Sequence, residues 1–254
     1  MPDCSMTSKI STGETRVFKR ACSRAAAVRK SRTRTNSSRV VGDSPRAPDD
    51  PQRWLDDYEK ILVERAVLGE PRLAGTALRL PMVYGPGDYQ HRLFDYVKRM
   101  DDGRPAILLG EGMAKWRWTH GYVEDVASAI ALAVTDERAA GRIYNVGEAE
   151  PLPWAEWVRE IGRAAGWDGE VVAVPEDLLP QHLDWGLNTE QHWFVDTSRI
   201  RHELGYAEEV PRQDALQRTV AWERTHPPEK VDPASFDYAA EDALLAQLAA
   251  RQGE

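Results

Sequence analysis

The stretch TALRLPMVYGPGD, Thr76 to Asp88, decides the fold class. Ala77, Leu78 and Leu80 supply the apolar positions of a buried strand, and Pro81 stops the ladder because it has no N–H to donate. Val83 and Tyr84 then run into Gly85-Pro86-Gly87, which reads as a tight turn. An open α/β sheet places its ligand crevice at a strand end of this kind.

Downstream, strand and helix signals alternate. Tyr89 to Arg99 reads as a helix with Leu93, Tyr96 and Val97 on one face. AILLGEG, Ala106 to Gly112, reads as a strand and turn. In Lys115 to Val134, the residues Val123, Val126, Ala127, Ile130, Ala131 and Val134 form a helical apolar stripe, with Glu124 and Asp125 in its first turn. GRIYNVG, Gly141 to Gly147, is a strand. Leu152 to Gly166 is a helix with Trp154, Trp157, Val158 and Ile161 inward, and Val171 to Val174 is a short strand. Pro175 to Trp193 is expected to cover a pocket. In DTSRIRHELGY, Asp196 is expected to cap a helix and Gly205 to stop it. A closing helix, Glu208 to Glu223, follows.

In this order and spacing, these segments resemble the extended short-chain dehydrogenases/reductases, the NAD-dependent epimerase/dehydratase family. LRLPMVYGPGD resembles that family's Leu-Arg-x-x-x-Val-Tyr-Gly-Pro-Gly loop. Lys115 to Val134 resembles its Arg-Asp-x-x-x-Val-x-Asp-Val-x-x-Ala segment, with Asp125 on the second Asp. Asp196 to Tyr206 resembles its Asp-x-Ser-Lys/Arg-x-x-x-x-Leu-Gly-Tyr element. Upstream, Asp49 to Leu68 reads as a helix, with Lys60 and Glu64 on the Lys and Glu of the catalytic Tyr-x-x-x-Lys-x-x-x-Glu helix.

The resemblance implies an α/β fold: a partial Rossmann-like parallel sheet plus a smaller α/β substrate-binding subdomain. It also implies bound NAD or NADP, and transient hydride transfer on a sugar nucleotide or similar small metabolite. Tyr58 would be the acid/base, with Lys60 lowering its ordinary pKa of about 10. Pro81, Met82, Val83 and Tyr84 would border the nicotinamide, and Arg92, Arg117 and His120 would meet the substrate. Two positions depart from the pattern. Asp56 occupies the family's Tyr register, and Tyr58 is only two residues from Lys60, where one helix face requires four. Trp118 occupies the register of a phosphate-contacting Arg, with Arg117 one residue early. Asp56, Lys60 and Glu64 also fit solvent-facing helix ion pairs, and His120 also fits a structural role.

The expected organisation is a disordered basic tail over 1–48, the family-like domain over 49–225 and a helical tail over 226–254. Residues 1–46 carry 11 Lys/Arg against 3 Asp/Glu, a net of +8, which leaves −16 for the rest of a chain whose total is −8. A solvated tail, a targeting peptide, a nucleic-acid arm and a non-native start replacing a real domain all fit this stretch. The family's glycine-rich phosphate turn does not occur in the sequence; SSRVVGD, Ser37 to Asp43, resembles only a later strand end. Two further readings therefore stand beside the enzyme: a truncated or non-catalytic relative that binds a metabolite or partner, and an RNA-associated relative using the basic tail. The acidic body argues against nucleic acid. Cys4 and Cys22 imply no disulfide framework, and a cytoplasmic setting is expected. No apolar run spans a membrane, no metal spacing stands out, and a homodimer is left open.

Overall fold

The computed structural model describes residues 60–252. The chain divides into two units: residues up to Ala77 together with Ala139–Ile143, and Leu78–Arg138 together with Tyr144 onward. Tyr58 and the expected basic tail lie outside the described residues.

In the first unit, helix α1 (Lys60–Leu68) covers the described part of the helix expected over Asp49 to Leu68. Gly75 packs under Val67, the Thr76 hydroxyl donates to the Ala139 carbonyl at 2.8 Å, and the Gly141 N–H donates to the Gly75 carbonyl at 2.8 Å.

The second unit holds the core. Strand β1 (Ala77–Arg79) enters it, β2 (Met82–Tyr84) follows, and α2 (Phe94–Asp101) leads to β3 (Ala106–Gly110) and the short α3 (Glu111–Lys115). Then come β4 (His120–Tyr122), α4 (Val123–Thr135), β5 (Ile143–Asn145), α5 (Trp154–Ala165), β6 (Glu170–Val174), α6 (Ser198–Leu204), α7 (Arg212–Thr225) and α8 (Tyr238–Gln252). β2 pairs in parallel with β4, setting Met82 opposite His120 and Tyr84 opposite Tyr122. β3 pairs in parallel with β6, and all five β3 residues are buried. The expected α/β class with parallel pairing is therefore present.

The α5 stripe falls as its spacing requires, with Trp154, Trp157, Val158 and Ile161 all buried. It packs against α2, α3 and α7. Helix α8 covers the other side of the β3–β6 pair, where Leu244 joins Leu108 and Val174. Its Glu241 is buried against Arg99 of α2, with Oε1 3.0 Å from Arg99 Nη2 and 3.1 Å from His182 Nε2. Gly205, at φ 74, ends α6 in the left-handed conformation that L-residues resist. Among the described residues no helix is long and apolar enough to cross a membrane.

Several expectations need correction. β1 is half-exposed rather than buried, and Leu80 is 49% exposed, because among the described residues β1 has only β5 beside it. The helix expected from Tyr89 starts at Phe94. The Asp88 carboxylate takes the N–H groups of Gln90 (3.1 Å) and Arg92 (3.2 Å), and His91 adopts φ 50, so this segment is a turn. α4 buries Asp125, Val126 and Ala129, while Ile130 and Val134 of the expected stripe face out. Its inward side is set by a polar anchor: Asp125 Oδ1 accepts the N–H groups of Glu209 (2.8 Å) and Val210 (3.3 Å). Asp196 takes the Ser198 N–H at 2.8 Å from just ahead of α6, one residue before the cap position at Thr197. The closing helix starts at Arg212 because Pro211 ends the extended run before it.

Candidate functional site

Beside β2 lies a cleft of about 510 Å³. Met82 forms part of its floor and the Tyr89–Arg92 turn one rim. Trp118, Trp154, Trp157 and Trp185 form an aromatic wall, and the segment from Pro228 to Phe236 supplies the opposite rim. The wall is ordered by ring contacts. Trp118 stacks on Trp154 at 6.3 Å and 25°, and Trp185 meets Trp154 edge-on at 5.3 Å. The Trp154 indole N–H donates to the Tyr96 hydroxyl at 2.8 Å, which satisfies a buried donor. Burial pushes the Tyr96 phenol well above its ordinary range.

The sequence-selected residues distribute unevenly around this cleft. Met82 lines it. Arg92 lines it too, with Nη1 donating to the Val83 carbonyl at 3.0 Å and to Asp88 Oδ1 at 2.5 Å, so its guanidinium is tied to the strand end. Trp118 lines it, but Arg117 does not. Successive residues of an extended segment point to opposite sides, and Arg117 Nη1 donates instead to the Pro151 carbonyl at 2.5 Å. The family's Arg register is thus occupied by an indole.

His120 is fully buried and is not part of the cleft lining. Its ring lies on Trp157 with centroids 4.0 Å apart and planes at 14°. Burial, with Arg212 adding to it, pushes its pKa down to about 3, so the imidazole is neutral near pH 7. Neither ring nitrogen has a partner among the described residues.

Tyr84 is buried and its phenol donates to Glu148 Oε1 at 3.4 Å. Burial first and Glu148 second push that phenol far up. It borders a second pocket of about 400 Å³ beside Asp125 and Arg212. Burial raises the Glu148 carboxyl, while its ion pair with Arg212 at 2.7 Å opposes the rise. Pro81 and Val83 are half-buried, and Lys60 is exposed at the start of α1. Among the described residues no His, Cys, Asp and Glu cluster is arranged for a metal.

Sequence reasoning missed one pair on the rim. His91 Nδ1 lies 2.8 Å from Glu223 Oε2, across 132 residues of sequence. The His91 ring stacks on Trp222 at 5.3 Å and 18°. Burial raises the Glu223 carboxyl, and the His91 hydrogen bond opposes it. Only the histidine following the Gly-Pro-Gly turn hinted at this, and a lone histidine carries little weight in a sequence.

The geometry of a strand, a Pro/Gly loop and a crevice coincides with a match at the level of family. The profile of the "NAD dependent epimerase/dehydratase family" matches residues 15–147. The chain belongs to this family. As a family member it is 33% identical over 144 residues to a dTDP-glucose 4,6-dehydratase of Streptomyces griseus, covering 56% of this chain and 40% of that protein. It is 27% identical over 154 residues to 2'-dehydrokanamycin reductase of Streptomyces kanamyceticus, covering 57% and 42%. The solved structure of DesIV, a dTDP-glucose 4,6-dehydratase from Streptomyces venezuelae with NAD and TYD bound, aligns at 26% identity with a TM-score of 0.52, covering 76% of this chain and 56% of that one. The chain thus spans about 40% of the length of these curated relatives. The family match begins at residue 15, upstream of the region near residue 50 where the sequence motifs first become readable.

Proposed function

We propose that this chain forms the substrate side of an NAD(P)-dependent enzyme acting on a sugar nucleotide or similar polyol-bearing metabolite. The observation that carries the reading is the aromatic cleft beside the parallel strand β2, a concave surface walled by four indoles with a few polar groups among them. Flat indole faces suit sugar and nucleobase rings, and Asp95, Lys230 and Asp232 on the same lining supply polar contacts.

The described residues fit one end of the dinucleotide. Pro81 to Tyr84 would flank the nicotinamide. The β3–α3 junction carries Gly110 and Gly112, but the Gly112 N–H already donates to Glu176 Oε1 at 2.6 Å, so this turn does not cradle a pyrophosphate. NAD(P), when bound, supplies a hydride acceptor. In this reading Tyr58 takes the proton from the substrate hydroxyl, and the positive charge of Lys60 favours the tyrosinate. Arg92 holds the substrate end of the cleft. Residues 49–225 form the family domain in this proposal, 1–48 a basic tail and 226–254 a helical tail, and the protein acts in the cytoplasm.

A second reading is favoured by Asp56 in the family's Tyr register: a relative that binds the metabolite without turning it over. Titration of the purified 254-residue chain with NADH and with dTDP-glucose, followed by tryptophan fluorescence, tests both. Micromolar binding of both ligands with turnover supports the enzyme. Binding of the sugar nucleotide without turnover supports the second reading. Failure of both ligands to bind at millimolar concentration overturns the two together.

A further inference from the structure

His91 has three features that packing alone does not require in combination. It is the only non-glycine residue at positive φ among the described residues, at φ 50. Its Nδ1 faces Glu223, a carboxylate only 1% exposed, at 2.8 Å. Its ring lies on the rim of the tryptophan-walled cleft. The backbone strain is sustained by contacts on both sides: the Asp88 turn, in which the His91 N–H donates to the Asp88 carbonyl at 2.9 Å, and the Trp222 ring under the imidazole.

The chemistry of the pair is directional. In the neutral imidazole, a proton on Nδ1 facing the Glu223 carboxylate leaves the lone pair on Nε2. Nε2 has no hydrogen bond among the described residues. A lone pair on the rim accepts from an O–H group and repels a phosphate oxygen, which has no proton to give. The charged groups of the lining, Arg92 and Lys230 against Asp95 and Asp232, balance in sign, and Arg92 is already held by Asp88. The remaining walls are indole faces.

We propose that the His91–Glu223 pair is a ligand-contacting dyad in which His91 Nε2 accepts a hydrogen bond from a hydroxyl of a carbohydrate ring seated in the cleft. This rests on the reading of the cleft as a sugar-nucleotide site and assigns its sugar end. Glu223 is a positioning residue: it fixes the tautomer and the ring orientation.

The test compares UDP-glucose, UDP and free glucose on the full chain, with affinity read by tryptophan fluorescence and the His91 ring followed by its imidazole ¹⁵N shifts. His91→Gly removes the imidazole and relieves the positive φ but leaves the buried Glu223 carboxylate without its partner, so a lower Tm is expected and affinities are compared at a temperature where circular dichroism shows the variant folded. The expected result is that UDP-glucose binds the wild type more tightly than UDP does and moves the His91 ring signals. His91→Gly then loses about ten-fold in UDP-glucose affinity, and none in UDP affinity. Glu223→Gln shows a smaller loss of the same kind, with a changed tautomer signature. Equal binding of UDP and UDP-glucose, or His91 signals unmoved by UDP-glucose and by glucose, overturns the dyad. If glucose moves the His91 signals while no nucleotide binds, the dyad stands and the sugar-nucleotide reading falls.

Discussion

His120 lies flat on Trp157, with ring centroids 4.0 Å apart, and is completely buried with no partner for either nitrogen among the described residues. A protonated imidazole there has no compensating acceptor. In the folded state its pKa is about 3, below the ordinary value of 6.5, so the unfolded chain takes up this proton first. The stabilising contribution is complete above about pH 6.5 and is lost as pH falls toward 3, with a slope of at most about 1.4 kcal/mol per pH unit. Carboxyls raised by burial, such as Glu148 and Glu223, act in the opposite direction, so the comparison must be differential. His120→Phe keeps the ring stack and removes the titration. Urea unfolding of both proteins from pH 7.5 to 4.5 is expected to show the wild type losing stability relative to the variant as pH falls. Parallel curves would mean that the ring is hydrated or paired.

Arg117 and Trp118 separate the register expected from the family from the one present. Arg117 is spent on the Pro151 carbonyl, so Arg117→Ala should cost about 1 kcal/mol of stability and change UDP-glucose affinity less than two-fold. Trp118→Ala removes part of the cleft wall and is expected to weaken the same ligand by about ten-fold. The reverse pattern in a paired binding assay would show that the guanidinium swings into the cleft.

What the sequence made legible was local. The α5 face follows from Trp154, Trp157, Val158 and Ile161 at helical spacing, and the β3 strand from an unbroken apolar run. The Gly205 stop follows from the one residue type that adopts φ 74 freely. What escaped was set by partners far away in sequence. The buried side of α4 depends on two N–H groups from residues 209 and 210 that hold Asp125, and no periodicity records them. The His91–Glu223 pair is equally invisible, as is the fate of Arg117. Loop conformation decides both, and propensity does not encode it. Motif order identified the family, and the departure at Trp118 was visible in the sequence. The direction in which each side chain points was not.

Gly85 tests the turn that follows β2. Its φ is 139, and a Cβ there would lie 2.5 Å from Val123 Cγ1. Gly85→Ala combines a disfavoured backbone conformation with a clash against the first residue of α4, so a loss of about 2–4 kcal/mol is expected. Chemical denaturation measures it. A companion Val123→Ala change should recover part of the loss, because it removes the clashing methyl. If it recovers nothing, strain in the backbone alone accounts for the cost.

Glu241 joins three basic groups from different parts of the second unit. Its Oε1 accepts from Arg99 Nε at 3.1 Å and Nη2 at 3.0 Å and sits 3.1 Å from His182 Nε2, while its Oε2 lies 3.8 Å from Arg104 Nε. Arg99 is itself 5% exposed and has further bonds to the Asp95 carbonyl at 3.1 Å and the Ser235 carbonyl at 2.7 Å. Removing one member of such a group leaves a buried charge uncompensated, which costs about 3–5 kcal/mol. Glu241→Gln keeps the shape and removes the charge, so Tm is expected to fall by about 6–15 °C. Replacing Arg99 by Met together with Glu241→Leu removes both charges and should recover much of that loss, because the pair's own net contribution is small. A double variant no more stable than the single one would show that Arg99 contributes through its bonds to the Asp95 and Ser235 carbonyls rather than through the charge pair.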